Sequence, residues 1–522
     1  MGLPVADTPL SPTDPVAGPS RRKFIAGAAW AVPAVVTSTA IPAHAAASEG
    51  PTLTLTAPNM QAVAAGTTPL IATFTGPAGS SPAGRVVSFT GPSGTSFSPE
   101  TATTDGSGVA TTTLTTTDTW AAPGSTLTIT ATTPGVTGIA PLTVLGANAY
   151  AFGNNEHGML GVPSTEVRNN TPAQLRLAFP SPVKAIAGGV TFTLALLEDG
   201  SVWGVGQNQY GELGDGTTTN RATWAKIPTL SNVTQIAAGA NSGYALLTNG
   251  QVRAWGKNAS GELGNGTTNT QSNPTPVAVS KIGTEIGVAT QIAALSALGT
   301  AAAPGTAYAL IGGQVFAWGN NAGGQLGNGV NNGTSYTNSN VPVPVSGITT
   351  ATRIAASSAT CYAITAGGVV RAWGQGGYGA IGDGGKTARV TPVTVLNVTG
   401  ATDIAAGHRW AVALVDGQVY TWGNNGYGQL GDDSTTDNPT PTAVPALTGV
   451  TRIAAGLASC YAIDSTGAVR AWGFNYYGSL GYGSTDTASL VPVTSMTLGS
   501  AATFAGTSEG SNMFFLCQPP AA

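Results

Sequence analysis

Charge, histidine and cysteine are all scarce in this sequence. Only 8% of its 522 residues are charged, and 19 Lys and Arg against 23 Asp and Glu leave a formal net charge of −4. A nucleic-acid partner would require a basic stripe that this balance does not supply. Of the three histidines, His44 lies in an N-terminal segment that we expect to be removed, and the two that remain, His157 and His408, cannot form a three-histidine zinc site. The sequence has no HExxH spacing, and its three cysteines, without a CxxC spacing, exclude a disulfide scaffold. We therefore expect no metal and no cofactor.

Long hydrophobic runs are also rare. Only one stretch, near the N-terminus, approaches the roughly 20 apolar residues that a membrane helix requires. Apolar residues nevertheless make up 42% of the chain, which is too many for a disordered protein. Glycine (73 residues), proline (34 residues) and threonine are abundant instead. This composition predicts short strands joined by many turns, so we expect an all-β chain with more than one domain.

The N-terminal segment resembles a twin-arginine export signal. Arg21 and Arg22 are followed by an uncharged stretch and by an Ala-His-Ala sequence that ends at Ala45 and has the pattern of a cleavage site. The resemblance implies a signal peptide over residues 1–45, cleavage after Ala45, and export of the folded protein from a bacterium. We therefore expect a secreted or cell-surface protein without stable membrane insertion after cleavage. The alternative is a retained N-terminal anchor helix.

Residues 51–145 contain 26 threonines and only four charged residues. Short alternating runs at 52–55, 86–89, 109–114 and 127–130 are separated by Gly, Pro and Ser clusters, which is the spacing of a β-sandwich. The sequence TDGSG at 104–108, before the third run, resembles the turn of bacterial immunoglobulin-like domains of the invasin and intimin type. The resemblance implies an N-terminal immunoglobulin-like β-sandwich over residues 46–146. Such a domain acts as a stalk or, alternatively, in adhesion.

Seven copies of one motif follow. Each copy has a short strand of the type IAAG, an apolar run, a turn that usually contains Gly, and a string of the type WGxNxxGQLG. The Gly of Trp-Gly, or of Phe-Gly in the first copy, falls at Gly153, Gly204, Gly256, Gly319, Gly374, Gly423 and Gly473. Two apolar runs joined by a Gly turn predict a hairpin, and a Pro-containing segment after each string predicts an outer edge strand. Each copy is therefore expected to supply four strands.

This pattern closely resembles the repeats of the regulator of chromosome condensation family. The resemblance covers residues 147 to about 517 and implies a seven-bladed β-propeller over 147–522. Two features depart from it: Phe152 replaces the Trp of the other copies, and the segment between Ile292 and Tyr308 is longer than its equivalents. The chain enters with third and fourth strands and leaves with first and second strands. We therefore expect a last blade shared by the two ends, which removes an exposed sheet edge.

Comparison of the copies separates structural residues from candidate site residues. We interpret the recurring tryptophans as packing residues, namely Trp203, Trp255, Trp318, Trp373, Trp422 and Trp472. Glu212 and Glu262 could form a carboxylate pair, but other copies carry Met, Gln, Ala or Ser at that position, so we assign no catalytic residue. Cys361 and Cys460 occupy equivalent positions in copies that are not neighbours. We expect these two cysteines to be unpaired, buried thiols.

Residues that do not repeat define the candidate binding site. In an antiparallel blade, the loops after the first and third strands emerge on the same face. Aromatic, Arg and Asn residues collect in these loops, as they do in protein-binding patches. The predicted binding residues are His408, Arg409, Trp410, Tyr210, Tyr378, Tyr427, Tyr476, Glu156 and His157. The run from His408 to Trp410 occurs in only one of seven equivalent loops, although Trp410 could instead fill a gap between blades.

These features predict a binding protein rather than an enzyme. We expect the loop face to bind an extracellular protein or glycan, and we expect a monomer. The repeat family includes a secreted bacterial inhibitor of β-lactamase, so the resemblance is compatible with an inhibitor as well as an adhesin. An extracellular carbohydrate-active enzyme on the same face is the alternative. A guanine-nucleotide exchange factor is the least favoured function, because export would separate it from a cytosolic GTPase.

Overall fold

The structure is a computed structural model that describes residues 51–517. It leaves out 58–60, 64–66, 77–80, 94, 117–125, 146–148, 162–167, 175–178, 180, 182, 297–303, 331–336, 358, 446, 485, 498–501 and 509–511. The predicted signal peptide, residues 1–45, lies outside the described residues. No helix in the described part of the chain is long and apolar enough to cross a membrane. Regular structure there is β-strand, apart from short 3-10 turns at Glu156–Gly158, Ala366–Gly368 and Gly377–Gly379.

The threonine-rich segment forms two sheets around one core. Its strands are β1 (Thr52–Thr56), β2 (Gln61–Val63), β3 (Thr67–Thr75), β4 (Val86–Thr90), β5 (Thr95–Ser98), β6 (Thr101–Thr103), β7 (Val109–Thr116), β8 (Thr126–Thr133) and β9 (Val136–Leu145). One sheet has the order β1-β3-β7-β5 and the other the order β2-β9-β8-β4-β6. Leu55, Phe74 and Ile129 are among the side chains that both sheets bury in a common cluster. The four strands predicted in this segment are confirmed.

Asp105 shapes the turn that leads into β7. Its Oδ1 atom accepts hydrogen bonds from the Ser107 hydroxyl (2.7 Å), the Ser107 amide (2.9 Å) and the Val109 amide (2.9 Å). These bonds, the one from the Ser107 hydroxyl above all, lower the pKa of Asp105. The TDGSG sequence therefore forms an aspartate-stabilised turn immediately before a strand, as the sequence predicts.

The repeat region is built from four-stranded units. Its strands are β10 (Ala149–Asn154), β11 (Arg168–Gln174), β12 (Val183–Gly188), β13 (Phe192–Leu197), β14 (Val202–Gly206), β15 (Arg221–Lys226), β16 (Val233–Ala238), β17 (Ser242–Leu247), β18 (Val252–Gly256), β19 (Val277–Ala278), β20 (Gln291–Ser296), β21 (Gly305–Ile311), β22 (Gln314–Gly319), β23 (Ser339–Pro344), β24 (Ala351–Ser357), β25 (Thr360–Thr365), β26 (Val369–Gly374), β27 (Arg389–Thr394), β28 (Ala401–Gly407), β29 (Trp410–Val415), β30 (Gln418–Gly423), β31 (Asn438–Ala443), β32 (Val450–Ala455), β33 (Ser459–Asp464), β34 (Ala468–Phe474), β35 (Ala488–Thr497), β36 (Ala502–Ser508) and β37 (Asn512–Cys517). We call β12–β15 unit one, and each following group of four strands up to β35 forms units two to six. In every unit consecutive strands pair antiparallel.

The two ends of the repeat region meet in one sheet. Strand β10 pairs antiparallel with β37, and the order β11-β10-β37-β36 forms a closing unit. A parallel contact between Gly188 and Ser508 joins this closing unit to unit one, giving an eight-stranded sheet. The prediction that each end contributes two strands to a shared unit is confirmed.

The predicted register of unit one is wrong by two residues. In units two, four, five and six, the glycine after the recurring Trp pairs with the first residue of the second strand, as Gly256 does with Ser242, and in unit three Gly319 pairs with the second residue, Thr306. In unit one the glycine with this pairing is Gly206, opposite Phe192, rather than Gly204. Gly206 also has the positive φ of 111° that recurs at this position in the other units. Val205 therefore stands where the other five units have Trp, and the Trp-Gly dipeptide at 203–204 is a coincidental match.

The tryptophans of units two to six join each unit to the preceding one. Trp255 Nε1 donates a hydrogen bond of 2.7 Å to the carbonyl oxygen of Glu212, and Trp318 Nε1 donates one of 2.9 Å to that of Glu262. The equivalent bonds join Trp373 to Gln325, Trp422 to Ala380 and Trp472 to Gln429. All five side chains are fully buried, so their interpretation as packing residues is confirmed. Trp203, by contrast, is half-buried and packs edge-on against Phe179.

Tyrosines of the second strands share these carbonyl acceptors. Tyr244 Oη donates to Glu262 O at 2.9 Å, and Tyr308 Oη donates to Gln325 O at 2.8 Å. Unit one has neither the tyrosine nor the tryptophan, but Thr193 Oγ1 donates to the Met159 carbonyl oxygen at 2.7 Å. A threonine hydroxyl thus replaces the indole between the closing unit and unit one.

Side chains on the first strands form a second set of contacts between units. The Gln235 amide bonds to both the carbonyl oxygen (3.0 Å) and the amide nitrogen (2.9 Å) of Ile292 in the next unit. Gln291 repeats this arrangement with the following unit, and Arg353 forms an ion pair with Asp403. In unit one the same position is Ala185, which has no side-chain amide to make this contact with unit two. At the boundary between the closing unit and unit one, a backbone contact joins β12 and β36.

The cysteines behave as the repeat pattern predicts. Cys361 and Cys460 are free and fully buried in the second strands of units four and six. Burial raises the pKa of each thiol well above its ordinary value, so neither is ionised near neutral pH. They are unreactive core residues.

Candidate functional site

The loops after the first and third strands meet at one edge of the repeat region. In each of units one to six, the amide that follows the third strand donates to a carbonyl oxygen of the first loop. Examples are Lys257 N to Asn241 O and Asn424 N to Arg409 O, both at 2.9 Å. We call this edge the loop face. The prediction that both sets of loops lie on one face is confirmed.

A buried asparagine organises the long loop between the third and fourth strands in the closing unit and in every unit except unit four, where Gly376 stands at this position. Asn258 Oδ1 accepts the Leu263 amide at 3.1 Å, while its Nδ2 donates to Thr267 O. The equivalent asparagines, each bonded to the amide five residues later, are Asn155, Asn208, Asn321, Asn425 and Asn475. Our sequence analysis did not single out this position, although its signal is the Asn of the WGxN string. These asparagines fix the loop backbone and leave the residues between them to vary.

The two glutamates of the GxLG segments are buried and belong to the scaffold. Glu212 Oε2 accepts the Tyr210 amide at 2.8 Å, and Glu262 Oε2 accepts the Ser260 amide at 2.7 Å. Gln325 and Gln429 make the same bond in units three and five. Burial raises the pKa of Glu212 to about 7 and also raises that of Glu262. The shared bonding pattern explains both glutamates without a catalytic role.

Trp410 is not available to contact a partner, so its assignment to the binding surface is wrong. Its side chain is 0% exposed, and its Nε1 donates to the Leu457 carbonyl oxygen of the next unit at 3.0 Å. It packs on Gly407, where a Cβ would lie 2.0 Å from Trp410 Nε1. Phe192, at the same position of unit one, is buried in the same way. Its geometry agrees with the alternative prediction, in which Trp410 fills a gap between units.

His408 and Arg409 occupy the turn that Trp410 anchors. Both are half-buried, and Arg409 has a positive φ of 61°. The Arg409 guanidinium lies over the Tyr378 ring, 5.0 Å from its centroid, so the two predicted residues are in contact across a unit boundary. Burial, assisted by the charge of Arg409, lowers the pKa of His408 to about 4. His408 is therefore a neutral imidazole at physiological pH.

Tyr210 and His157 also contact the following unit. Lys257 Nζ lies 5.4 Å from the centroid of the Tyr210 ring. The ring nitrogen Nε2 of His157 is 3.0 Å from Gln207 Nε2, and His157 is exposed. Glu156 lies beside it in the short 3-10 turn of the closing unit. Tyr210 and His157 thus form part of a series of side-chain contacts between neighbouring units along the loop face.

The remaining predicted residues belong to an aromatic cluster at the boundary between units five and six. We call it the aromatic patch, and it consists of Tyr427, Phe474, Tyr476 and Tyr477. The Phe474 ring lies 4.8 Å from that of Tyr427 and is nearly parallel to that of Tyr476, at an interplanar angle of 26° and a centroid distance of 6.2 Å. Tyr476 is 45% exposed, which is high for a large apolar side chain. Sequence analysis predicted Tyr427 and Tyr476 as binding residues but not Phe474 and Tyr477.

Comparisons with known proteins agree with the repeat pattern. The regulator of chromosome condensation (RCC1) repeat model matches residues 148–196, 199–246, 249–294, 312–364 and 416–463, and a second model of this repeat matches 183–212 and 233–262. The ultraviolet-B receptor UVR8 of Arabidopsis thaliana is 35% identical over 71 residues, which cover 14% of this chain. The matched segment spans only 16% of that receptor.

Two solved structures share the fold of the repeat region. Human WBSCR16 has a TM-score of 0.62 at 21% identity, and the alignment covers 71% of this chain and all of the other. Prp20p of Saccharomyces cerevisiae, described as binding Gsp1p and histones, has a TM-score of 0.58 at 22% identity. That alignment covers 72% of this chain and 92% of Prp20p. Five segments of the repeat region therefore match the regulator of chromosome condensation (RCC1) repeat, and the region shares the fold of these two solved structures.

Proposed function

We propose that the chain is a binding protein that presents its loop face to a protein partner. The observation that carries this proposal is the contrast within the repeats. The repeated polar residues of the loops, such as Asn258 and Glu262, are buried in backbone hydrogen bonds, whereas Tyr476 and Arg409 differ from unit to unit and reach the surface. Aromatic and arginine side chains are the groups that most often anchor protein interfaces.

The proposed architecture is a seven-bladed propeller. Units one to six supply six groups of four strands, and the closing unit, which shares an eight-stranded sheet with unit one, would be the seventh blade. Residues 46–146 would form an immunoglobulin-like domain, which the two-sheet core and the turn at Asp105 support. This domain would act as a stalk that carries residues 147–522, and the chain would act as a monomer.

We further propose that the protein is exported through the twin-arginine pathway to the bacterial surface or medium, where it serves as an inhibitor or adhesin. The support is the sequence around Arg21 and Arg22 and the Ala-His-Ala sequence. The mature protein is then expected to begin at Ala46. N-terminal sequencing of the extracellular form decides this, because a chain that retains residues 1–45 would contradict cleavage after Ala45.

The two glutamates of the loop face do not supply the carboxylate pair of a carbohydrate-active enzyme. A glycosidase requires two accessible carboxyl groups across the scissile bond. Glu212 and Glu262 are instead buried and bonded to backbone amides within their own loops. A partner comparable to the Gsp1p bound by Prp20p is a second candidate, favoured by the structural similarity and opposed by export.

The experiment compares capture of proteins from culture supernatant by the full chain and by matched variants. Arg409→Ala removes an anchor on the loop face, and Asn249→Ser changes a turn on the opposite edge. A captured protein supports the proposal if its affinity falls about thirtyfold with Arg409→Ala, which corresponds to about 2 kcal/mol, and is unchanged with Asn249→Ser. Equal capture by both variants, or loss with Asn249→Ser alone, would place the interaction elsewhere. Either result is valid only if both variants have the same melting temperature as the wild type, because a lower one would mean that the substitution disturbs the fold.

A further inference from the structure

The aromatic patch is a feature that the repeat does not require. The residue after the third-strand glycine is polar in the other units and in the closing unit, namely Asn154, Gln207, Lys257, Asn320, Gln375 and Asn424. In unit six it is Phe474. Two residues later, Tyr476 stands where unit three has Ala322 and unit five has Gly426. Because the other five units fold without a ring at either of these two positions, Phe474 and Tyr476 are not required by the repeat.

Cations already pack on tyrosines elsewhere on this face. Lys257 lies over Tyr210 and Arg409 over Tyr378, at the distances expected of cation–π contacts. Tyr210, Tyr378, Tyr427 and Tyr477 share one position in the repeat. The contact of Lys257 with Tyr210 corresponds to the contact of Phe474 with Tyr427, so in unit six an aromatic ring occupies the place of the cation. The result is an enlarged aromatic surface that continues to the exposed Tyr476 ring.

The loops around the patch are acidic. Residues 424–437 and 474–486 contain four aspartates and no lysine or arginine. In units one and four, the aspartate after the GxLG segment pairs with an arginine six residues later, as Asp383 does with Arg389 at 2.6 Å. In unit five the corresponding residues are Asp432 and Asn438, so that arginine is missing from the sequence. Two basic residues lie near these aspartates: Lys386 Nζ is 4.0 Å from Asp437, and Arg470 lines one cavity with Asp432 and Asp433. The four aspartates outnumber them, so the two loops that carry the patch have a net negative charge.

We propose that the aromatic patch binds an arginine or lysine side chain from a basic segment of a protein partner. This inference rests on the proposed function and specifies the chemistry of the partner. The exposed ring of Tyr476 stacks on the cation, and the aspartates of the two loops attract the rest of the basic segment. An uncharged glycan could stack on the same rings and donate hydroxyl hydrogen bonds to the aspartates, but it would lack the charge attraction that a cation gains, so the net negative charge of the two loops favours the cation.

The test uses the full chain and a fluorescent oligoarginine peptide, with binding followed by fluorescence anisotropy. The variant Phe474→Asn combined with Tyr476→Ala gives unit six the residues that unit three carries at Asn320 and Ala322, so its backbone is compatible with the change. We expect the peptide to bind at least about fivefold more weakly, which corresponds to about 1 kcal/mol. The control Leu396→Thr removes an exposed apolar side chain on the opposite edge and leaves binding unchanged.

Two outcomes would overturn the inference: equal peptide binding by the wild type and the double variant, or no binding by the wild type. The inference is also overturned if the wild type binds a chitin oligosaccharide instead of the peptide and the double variant does not. The ligand of the patch would then be a glycan rather than a cation. If the double variant melts early, Tyr476→Ala alone serves, because this ring is exposed. A captured partner that needs Arg409 but binds the Tyr476→Ala variant normally would leave the proposed function standing and remove only this inference.

Discussion

Units two to six and the closing region use different side chains for the contact between adjacent units. In units two to six, a buried tryptophan donates to the carbonyl of the preceding unit. Where the closing unit meets unit one, Val205 takes the tryptophan position, Thr193 supplies the hydrogen bond, and a backbone contact joins β12 and β36. The repeats therefore require a donor at each boundary, whereas the identity of that donor is free.

The largest expected effect comes from removing the closing strand. Deletion of residues 147–161 eliminates β10, which pairs with β37 on one side and β11 on the other. The closing unit then loses one of its two inner strands, so we expect the cooperative unfolding transition of the repeat region to disappear. Calorimetry on the full chain measures this. A transition of unchanged temperature and enthalpy would show that the ends do not close the structure.

The second-largest effect is expected for substitutions of two buried tryptophans, Trp472 and Trp318. The carbonyl groups that accept their hydrogen bonds differ in whether a tyrosine also donates to them. The Glu262 carbonyl keeps a bond from Tyr244 when Trp318 is replaced by Phe, whereas Gln429 has no equivalent tyrosine because Val412 stands at that position. Trp472→Phe should therefore cost about 2–4 kcal/mol of unfolding free energy and Trp318→Phe about 1 kcal/mol less. Denaturant unfolding of both variants tests the order. Equal losses would mean that cavity formation, rather than the hydrogen bond, sets the cost.

The buried glutamate of unit one should make stability depend on pH. Its pKa of about 7 lies above the ordinary value of 4.5, so the folded state holds a proton that the unfolded state releases. The contribution of Glu212 to the stability of the folded state is therefore complete below pH 4.5, where the side chain is protonated in both states, and is lost as the pH rises to 7. Glu212→Gln, which copies Gln325 and Gln429, should raise stability at pH 8 by about 1–3 kcal/mol.

Denaturant unfolding between pH 4.5 and 8 checks this prediction. The Glu212→Gln curve should be flatter than that of the wild type over this range. A wild type that becomes more stable on passing from pH 5 to pH 7, by an amount that the substitution abolishes, would show that the carboxylate is the favoured buried form.

The smallest effect concerns the substitute donor at the closing region. Thr193→Val keeps the side-chain shape but leaves the Met159 carbonyl without the hydroxyl, so we expect a loss of about 1–2 kcal/mol. Thr111→Val, on an exposed position of β7, should change stability by less than about 0.5 kcal/mol. Thermal unfolding distinguishes the two. Equal behaviour of both variants would remove Thr193 as the counterpart of the tryptophans.

Much of the fold could be predicted because repetition reveals what the backbone requires. The strand order within a unit, the pairing of the two chain ends, and the burial of Trp255 or Cys361 all follow from comparing the copies. The register of unit one could not be predicted, because the dipeptide at Trp203 matches the motif by chance. Only its strand pairing, with Gly206 opposite Phe192, reveals the shift of two residues.

The candidate site was predicted less completely than the fold. The loops were placed on one face correctly, since alternation of antiparallel strands decides on which edge each loop emerges. Trp410 was predicted as a binding residue because it is unique among the copies. A unique residue can nevertheless fill a space between its neighbours, and the space beside Gly407 is seen only in the folded structure. The grouping of Tyr427 with Phe474, 47 positions apart in the chain, likewise depends on the packing of adjacent units.

The sequence by itself determined the all-β class, the repeating unit and the residues that are free to vary. These follow from local alternation, turn residues and internal repetition, each of which acts over a few positions. Only the tertiary structure decided which of the variable residues are exposed, which donor joins each pair of units, and which rings form one surface. Those properties depend on contacts between residues about fifty positions apart, and no local pattern of the sequence specifies the distance between them.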